Sequence, residues 1–296
     1  MKIFDCFMFY DEELLLDIRL HELDKYVDKF IISESTYTHS GKSKKLIFDI
    51  KKYSKFKDKI THIVVDKEPQ KISNILENDS SDEKNSKYIM NAVQRENYQR
   101  NCLSNGLQQA NDDDFVLISD LDEIPNLKDL IISKIKNNLV LFKQVNFYYK
   151  FNLYLDNFAW YGAKGCKFKN LKSPQWLRNI KGKKYPFWRF DTLFSEKKSK
   201  DIYFVENGGW HFSYFKDAKA IEDKLKSYLH HREYDLKPLG VDKIQSMIKN
   251  NIPVYNLNTD MRKSKFEANM PLKLSNNIKL PDYVKNNDDK FKEWFV

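Results

Sequence analysis

The chain has 296 residues, 41% of them hydrophobic and 15% aromatic, enough for one large α/β domain with a substantial core. A formal charge of +9 draws anions in general. Lysine is dispersed along the chain and mixed with Asp and Glu, with no paired zinc ligands and no basic zipper, so nucleic acid is an open but weakly supported partner. Three widely spaced cysteines, Cys6, Cys102 and Cys166, suggest neither a disulfide framework nor a zinc cluster and read as small buried hydrophobes.

The opening residues MKIFDCFMFYDEE predict a buried strand over Lys2–Tyr10, which acids end too early for a signal peptide or anchor. No other stretch approaches the length of a membrane span, and a soluble, cytoplasmic protein is expected. Glu13–Tyr26 carries leucines and isoleucine at helical spacing, broad enough to face a sheet. A second strand over Lys29–Ser33, a polar loop over Glu34–Lys45, a short helix within Phe48–Ile60 and a third strand over His62–Val65 follow. Lys67–Lys87 is polar and predicts a loop, and Asn91–Ala110 predicts a helix. Asp114–Ser119 predicts a fourth strand, and Asn126 an N-cap for a helix over Leu127–Lys136. This alternation implies a mostly parallel central sheet flanked by helices. After Leu139 the texture changes. Leu139–Tyr154 predicts antiparallel strands, Tyr161–Phe194 is rich in Lys and aromatics, and Ala218–Leu229 predicts a helix. Without repeats or a linker, the expectation is a single domain of two lobes, 1–138 and 139–296.

The strongest chemical feature is Ser119-Asp120-Leu121-Asp122-Glu123-Ile124-Pro125, placed directly after an apolar strand. Ligands of open α/β sheets bind beyond the carboxyl ends of strands. Two aspartates at i and i+2 there supply hard oxygen ligands of the kind that suit phosphate-bound Mg²⁺ or Mn²⁺. The plain alternative is an acidic strand-to-helix turn. No Gly-rich loop ending in Lys-Ser/Thr is present, which disfavours a phosphate-loop kinase or NTPase.

Five ordered blocks together resemble glycosyltransferase family 17, the family of the β-1,4-mannosyl-glycoprotein N-acetylglucosaminyltransferase. They are Phe4-Asp5 with Phe7, Phe9, Glu12–Leu16, Arg19 and Glu22-Leu23-Asp24; Glu34-Ser35 with Tyr37-Thr38 and Gly41-Lys42; Arg95-Glu96 with Tyr98–Asn101 and Gly106-Leu107; Ser119–Pro125; and Gly208-Gly209-Trp210-His211-Phe212-Ser213. They span about residues 1–235, and the expectation is of a chain without the membrane anchor and luminal stem of the animal enzymes.

The resemblance implies a GT-A type α/β fold with an antiparallel C-terminal lobe, and an inverting, Mn²⁺- or Mg²⁺-dependent transfer of GlcNAc from UDP-GlcNAc to a glycan hydroxyl. It suggests Asp122 and His211 as metal ligands, with Asp120 at the donor ribose or the metal's water shell. Gly208 and Gly209 are expected to let the backbone approach a ligand. Trp210 is either a platform for sugar or base or a core aromatic. On the predicted central helix, Arg95, Gln99 or Arg100 is expected to face the diphosphate, although Glu96–Arg100 also fits a surface i,i+4 pair. Glu34 is placed for the ribose or base, or else for a lysine salt bridge. The general base is sought among Glu233, Glu206, Asp191 and Glu123, with Glu233 favoured. The alternatives are transfer of another UDP-sugar to a bacterial or viral surface glycan, a lipid-linked sugar or modified DNA, and, without catalysis, a carbohydrate-binding module with a degenerate metal site.

Overall fold

The structure is a computed structural model and describes residues 1–229, 231–255, 266 and 271–296. Twelve strands form among the described residues: β1 (Ile3–Phe9), β2 (Lys29–Ser35), β3 (Ile60–Val65), β4 (Phe115–Asp120), β5 (Glu123–Pro125), β6 (Leu139–Phe142), β7 (Gln144–Tyr148), β8 (Leu153–Trp160), β9 (Lys164–Lys167), β10 (Ile202–Val205), β11 (Gly209–Ser213) and β12 (Lys273–Leu274). Six helices matter for the argument: α1 (Glu13–Leu23), α2 (Ser81–Asn101), α3 (Pro174–Asn179), α4 (Ala218–Leu225), α5 (His231–Leu236) and α6 (Val241–Lys249).

Seven strands make the first sheet, in the order β10-β6-β9-β4-β1-β2-β3. The strands β3, β2, β1 and β4 run parallel, β9 is antiparallel to both β4 and β6, and β10 is parallel to β6. Side chains alternate across the central strands with period two. Phe7 and Phe9 of β1 and Phe115 and Leu117 of β4 enter one core with Leu16, Ile18 and Leu20 of α1. Phe4, Cys6, Val116 and Ile118 enter the opposite core with Leu103, Leu107 and Leu177. Both faces are therefore dry, which is why these strands are nearly continuous apolar runs.

The second sheet has the order β12-β8-β7-β11-β5. It is antiparallel except where β11 runs parallel to β7. Each sheet draws strands from both halves of the chain: β6, β9 and β10 complete the first, and β5 joins the second. No chain cut at residue 138 separates the two sheets. A further apolar cluster joins α4 and α6 to the back of the second sheet through Ile221, Leu225, Ile244 and Met247 packed with Tyr148 and Leu153.

Several predicted elements change. The central helix starts earlier than Asn91, because Ser80 and Glu83 form a capping box that nucleates it within the stretch expected to be loop. It ends at Asn101 and tightens into a 3₁₀ turn over Cys102–Gly106. The helix expected over Leu127–Lys136 does not form. Glu123–Pro125 is pulled into pairing with β11, Asp129 adopts φ 65°, and only a 3₁₀ turn at Ile132–Lys134 remains. Asn126 closes a local turn by accepting from the Lys128 amide at 3.0 Å. The run Leu139–Tyr154 breaks at Lys143 into strands of different sheets. All three cysteines are free.

Candidate active site

Strand β4 ends at Asp120 beside Met8 of β1, at the carboxyl edge of the parallel strands. The turn that follows is fixed from below by Arg19 of α1, which is fully buried. Its guanidinium forms a bidentate pair with Asp5 at 2.6 and 2.8 Å. It also donates to Ser119 Oγ at 2.5 Å and to the carbonyls of Asp120, Leu121 and Glu123 at 2.9, 3.1 and 3.1 Å. One cation thus satisfies three carbonyls that a tight turn would otherwise leave buried and unpaired. This explains in physical terms why Asp5 and Arg19 belong to the same pattern as the aspartates.

The second sheet supplies the next layer. β11 pairs His211 against Glu123 on one side and Asn146 on the other. The Phe212 amide donates to the Asp122 carbonyl at 2.8 Å. This register brings His211 Nε2 to 3.8 Å from Asp122 Oδ1. Gly209 has φ +115°, and a Cβ there would lie 2.2 Å from the Ile124 carbonyl oxygen. A Cβ at Gly208 would lie 2.4 Å from the Lys143 amide. The two glycines therefore admit neighbouring backbone, not a ligand as the sequence suggested. Trp160 stacks on the His211 ring at 4.9 Å between centroids and 19° between planes. The buried Nδ1 of His211 and Nδ2 of Asn146 find no partner among the described residues.

Asp120 is engaged differently from Asp122. Its Oδ1 accepts from Arg100 at 2.9 Å and its Oδ2 from Arg178 at 2.8 Å. Burial opposes ionisation, but the two guanidinium groups outweigh it and hold this carboxyl far below the usual carboxylate range. Arg178 also binds Glu123 at 2.6 Å and the Gly162 carbonyl at 2.6 Å, and Arg100 binds Glu96 at 2.7 Å. Both oxygens of Asp120 are thus engaged by arginines, an arrangement in keeping with a place at the ribose or in the water shell of a metal instead of direct coordination. Asp122, by contrast, has Lys224 Nζ at 3.5 Å and the His211 ring at 3.8 Å as its neighbours. Burial is the largest influence on its carboxyl and raises its pKa above the ordinary value, against Lys224 and His211.

These residues line a cavity of about 430 Å³. Of the residues singled out in the sequence, Asp120, Asp122, Glu123, Gln99 and His211 are on its wall. Gln99 donates to the Ser33 carbonyl at 3.1 Å and binds His39 at 3.1 Å, so it also braces the second-strand loop. Arg100 does not line the cavity itself and reaches it through Asp120.

Other expected contacts are redirected. Glu34 is fully buried, and its carboxylate accepts from Lys44 and from the Ile47 and Phe48 amides at 2.8, 2.7 and 3.2 Å. It anchors the following loop, and Lys44 lines the cavity in its place. Arg95 turns away to Glu68, at 2.9 and 3.1 Å. Trp210 is a core residue whose indole donates to the Lys279 carbonyl at 2.7 Å. Glu206 and Asp191 are surface partners of Lys143 and of Arg189 and Lys198. Glu123 has its oxygens taken by Trp160, Arg178 and the Asp120 amide at 2.6, 2.6 and 2.8 Å, which leaves it a structural acceptor. Glu233, on α5, is not on the cavity wall, although its charge is felt by Tyr214, Tyr228 and Tyr255, which are.

The residues that sequence reasoning missed are mostly from the second half of the chain. Arg178, Lys224, Trp160 and a group of phenols at Tyr148, Tyr214, Tyr228 and Tyr255 all line the cavity. Glu12 joins them from the start of α1 and pairs with Lys224 at 3.1 Å. Burial pushes its carboxyl up, but Lys224 and Lys216 outweigh this and bring it to about 2. The one available signal for Glu12 was its place in the opening block of the resemblance.

A cavity lined by paired carboxylates, the Arg178 guanidinium and aromatic rings at the carboxyl edge of an α/β sheet agrees with the comparison of the sequence with known families. The sequence model of glycosyltransferase family 17 matches residues 1–295. The protein is a glycosyltransferase, and the chain belongs to glycosyltransferase family 17. No curated protein sequence matches the chain at a significant level.

Proposed function

We propose that this glycosyltransferase is an inverting, metal-dependent enzyme of GT-A type that moves GlcNAc from UDP-GlcNAc to a hydroxyl of a glycan acceptor. The observation that carries the reading is the meeting of Asp122 and His211 at 3.8 Å on the wall of the 430 Å³ cavity. That volume falls in the range of roughly 300–1,000 Å³ typical of small-molecule sites. The four parallel strands with the acidic turn at their carboxyl edge support the GT-A assignment.

The donor set fits a divalent ion held partly by its substrate. Among the described residues no group of three or more His, Cys, Asp or Glu side chains is arranged to hold a metal. Asp122 and His211 would supply two ligands, and phosphate oxygens and water the others, as is usual for Mg²⁺ at phosphate sites. When bound, the ion would neutralise charge developing on the departing diphosphate. Lys224 adds a positive charge beside Asp122, and Asp120 positions Arg178 at the cavity wall. Trp160 and the tyrosines offer flat apolar faces to uracil and sugar rings. The acceptor proton goes to a carboxylate on the wall. With Glu123 engaged by three donors and Asp122 given to the metal, Glu12 and Glu96 are the wall carboxylates from which that base is drawn.

Calorimetry with UDP, in Mn²⁺ and in EDTA, tests the metal. Mn²⁺ should strengthen UDP binding, and both Asp122→Asn and His211→Ala should abolish the difference. Equal affinity of the unmodified protein in the two conditions would remove the metal from the proposal. A parallel screen of UDP-sugars for slow hydrolysis tests the donor, with UDP-GlcNAc expected to turn over fastest.

A further inference from the structure

Between α3 and β10 the chain makes an excursion whose sequence, residues 181–200, is KGKKYPFWRFDTLFSEKKSK. Its large apolar side chains are unusually exposed: Phe187 82%, Trp188 60%, Phe190 69%, Leu193 71% and Phe194 90%. Five such residues fall within eight positions, Phe187 and Trp188 in edge contact at 5.1 Å between ring centroids, and large apolar side chains exposed together in this way mark interaction surfaces.

The excursion is not a loose end. The Lys181 amide donates to the Lys197 carbonyl at 2.8 Å and closes its base. A 3₁₀ turn at Phe190–Thr192, with Thr192 Oγ1 donating to the Arg189 carbonyl at 2.7 Å, forms its tip. Lys200 donates to the Phe187 carbonyl at 2.6 Å. The backbone is held in a shape that turns the aromatic side chains outward.

Charge identifies the partner. The segment holds seven basic residues, Lys181, Lys183, Lys184, Arg189, Lys197, Lys198 and Lys200, against only Asp191 and Glu196. Asp191 is already shared by Arg189 and Lys198. Five net positive charges in twenty residues is more than half the excess of the whole chain. Lysine is depleted at the centres of protein–protein interfaces, whereas aromatic residues flanked by lysines suit the headgroup region of an anionic bilayer.

We propose that the 181–200 excursion is a membrane-docking element, with Phe187, Trp188, Phe190, Leu193 and Phe194 entering the interfacial region of an anionic lipid surface and the surrounding lysines binding its headgroups. The element follows directly on α3, whose Arg178 is on the cavity wall, so docking would hold a catalytic element of the enzyme at the lipid surface. This inference does not depend on the identity of the donor or on the metal.

Vesicle co-sedimentation tests it. The protein should bind mixed phosphatidylcholine–phosphatidylglycerol vesicles and lose that binding on pure phosphatidylcholine and at high salt. Each lysine near an anionic surface contributes about fivefold to partitioning, so Lys183→Glu with Lys184→Glu should weaken binding more than tenfold. The triple variant Phe187→Ser, Trp188→Ser, Phe194→Ser should weaken it at least as much while keeping the far-UV circular dichroism spectrum and cooperative thermal unfolding of the unmodified protein, which shows that it is folded. Brominated lipid should quench tryptophan emission, and Trp188→Phe should lose the quenching while still binding. Absence of vesicle binding, or equal binding by the triple serine variant, overturns the proposal. So does a dimer that the triple serine variant breaks while the unmodified protein ignores vesicles, since the patch would then be a contact between copies of the chain.

Discussion

Replacing Arg19 with methionine tests the scaffold beneath the acidic turn. The side chain is completely buried and makes six hydrogen bonds, to Asp5, Ser119 and the carbonyls of Asp120, Leu121 and Glu123. Methionine fills much of the volume but leaves the Asp5 carboxylate without its counter-ion. Removing one member of a buried pair costs about 3–5 kcal/mol, and each orphaned carbonyl adds about 1 kcal/mol or more. Against a total stability of about 5–15 kcal/mol, this is a large fraction. Together these losses come to about 6–8 kcal/mol, so thermal unfolding followed by circular dichroism should show a fall in Tm of about 12–32 °C, at roughly 2–4 °C per kcal/mol for a large domain. Adding Asp5→Leu removes the stranded charge and should return part of that loss, because an apolar pair of similar volume is tolerated where a lone charge is not. The carbonyls of the turn would still lack a donor, so recovery should be incomplete and UDP binding should remain weakened. A Tm within 2 °C of the unmodified protein would refute the clamp, on the scale of about 2–4 °C per kcal/mol. A double variant no more stable than Arg19→Met would show that the Asp5 charge is not what the arginine stabilises.

Glu34→Gln should destabilise the fold in a pH-dependent way. Burial pushes the Glu34 carboxyl up, but His62, Lys44 and the Ile47 amide outweigh it and hold it at about 2 instead of 4.5. A depressed carboxyl contributes its stability in full above pH 4.5 and loses it as pH falls through about 2, so the variant should be about 3 kcal/mol less stable at pH 7, the gap should fall below about half of that by pH 3, and it should close only below about pH 2. A gap independent of pH, measured by denaturant titration, would rule out the ionic anchoring. Glu233→Gln should transfer sugar within about twofold of the unmodified rate, since the residue is off the cavity wall. A fall of about 10²–10⁴-fold would instead restore it as the general base.

Local pattern was enough to determine the strands β1 and β4, the helix α1 and the place of Asp120–Asp122 at a strand's carboxyl end. Apolar runs in a sheet covered on both faces and leucines at helical spacing are short-range signals, and they survive in one sequence. The ordered blocks also carried the family, since they record which residues occur together without saying how they touch.

Side-chain direction was not legible in the same way. Glu34, Arg95 and Trp210 were found in the right blocks, but Glu34 and Trp210 turn into the core and Arg95 to Glu68. Each is held by a partner distant in sequence that no local pattern specifies. The helix expected after Pro125 failed because pairing of Glu123–Pro125 with β11 overrode local preference. The same pairing decides the site, since one register places His211 opposite Glu123 and beside Asp122, and a shift of one residue would turn its ring to the other face of the sheet. Arg178 reaches the cavity from α3, which packs on β4 and β9 of the first sheet, and Lys224 reaches it from α4, which packs with the second sheet; both are contacts between segments far apart in the chain. The sequence by itself determined the class of chemistry and the turn that bears it; the long-range register of β11 and the packing of α3 and α4 decided which charges surround that turn.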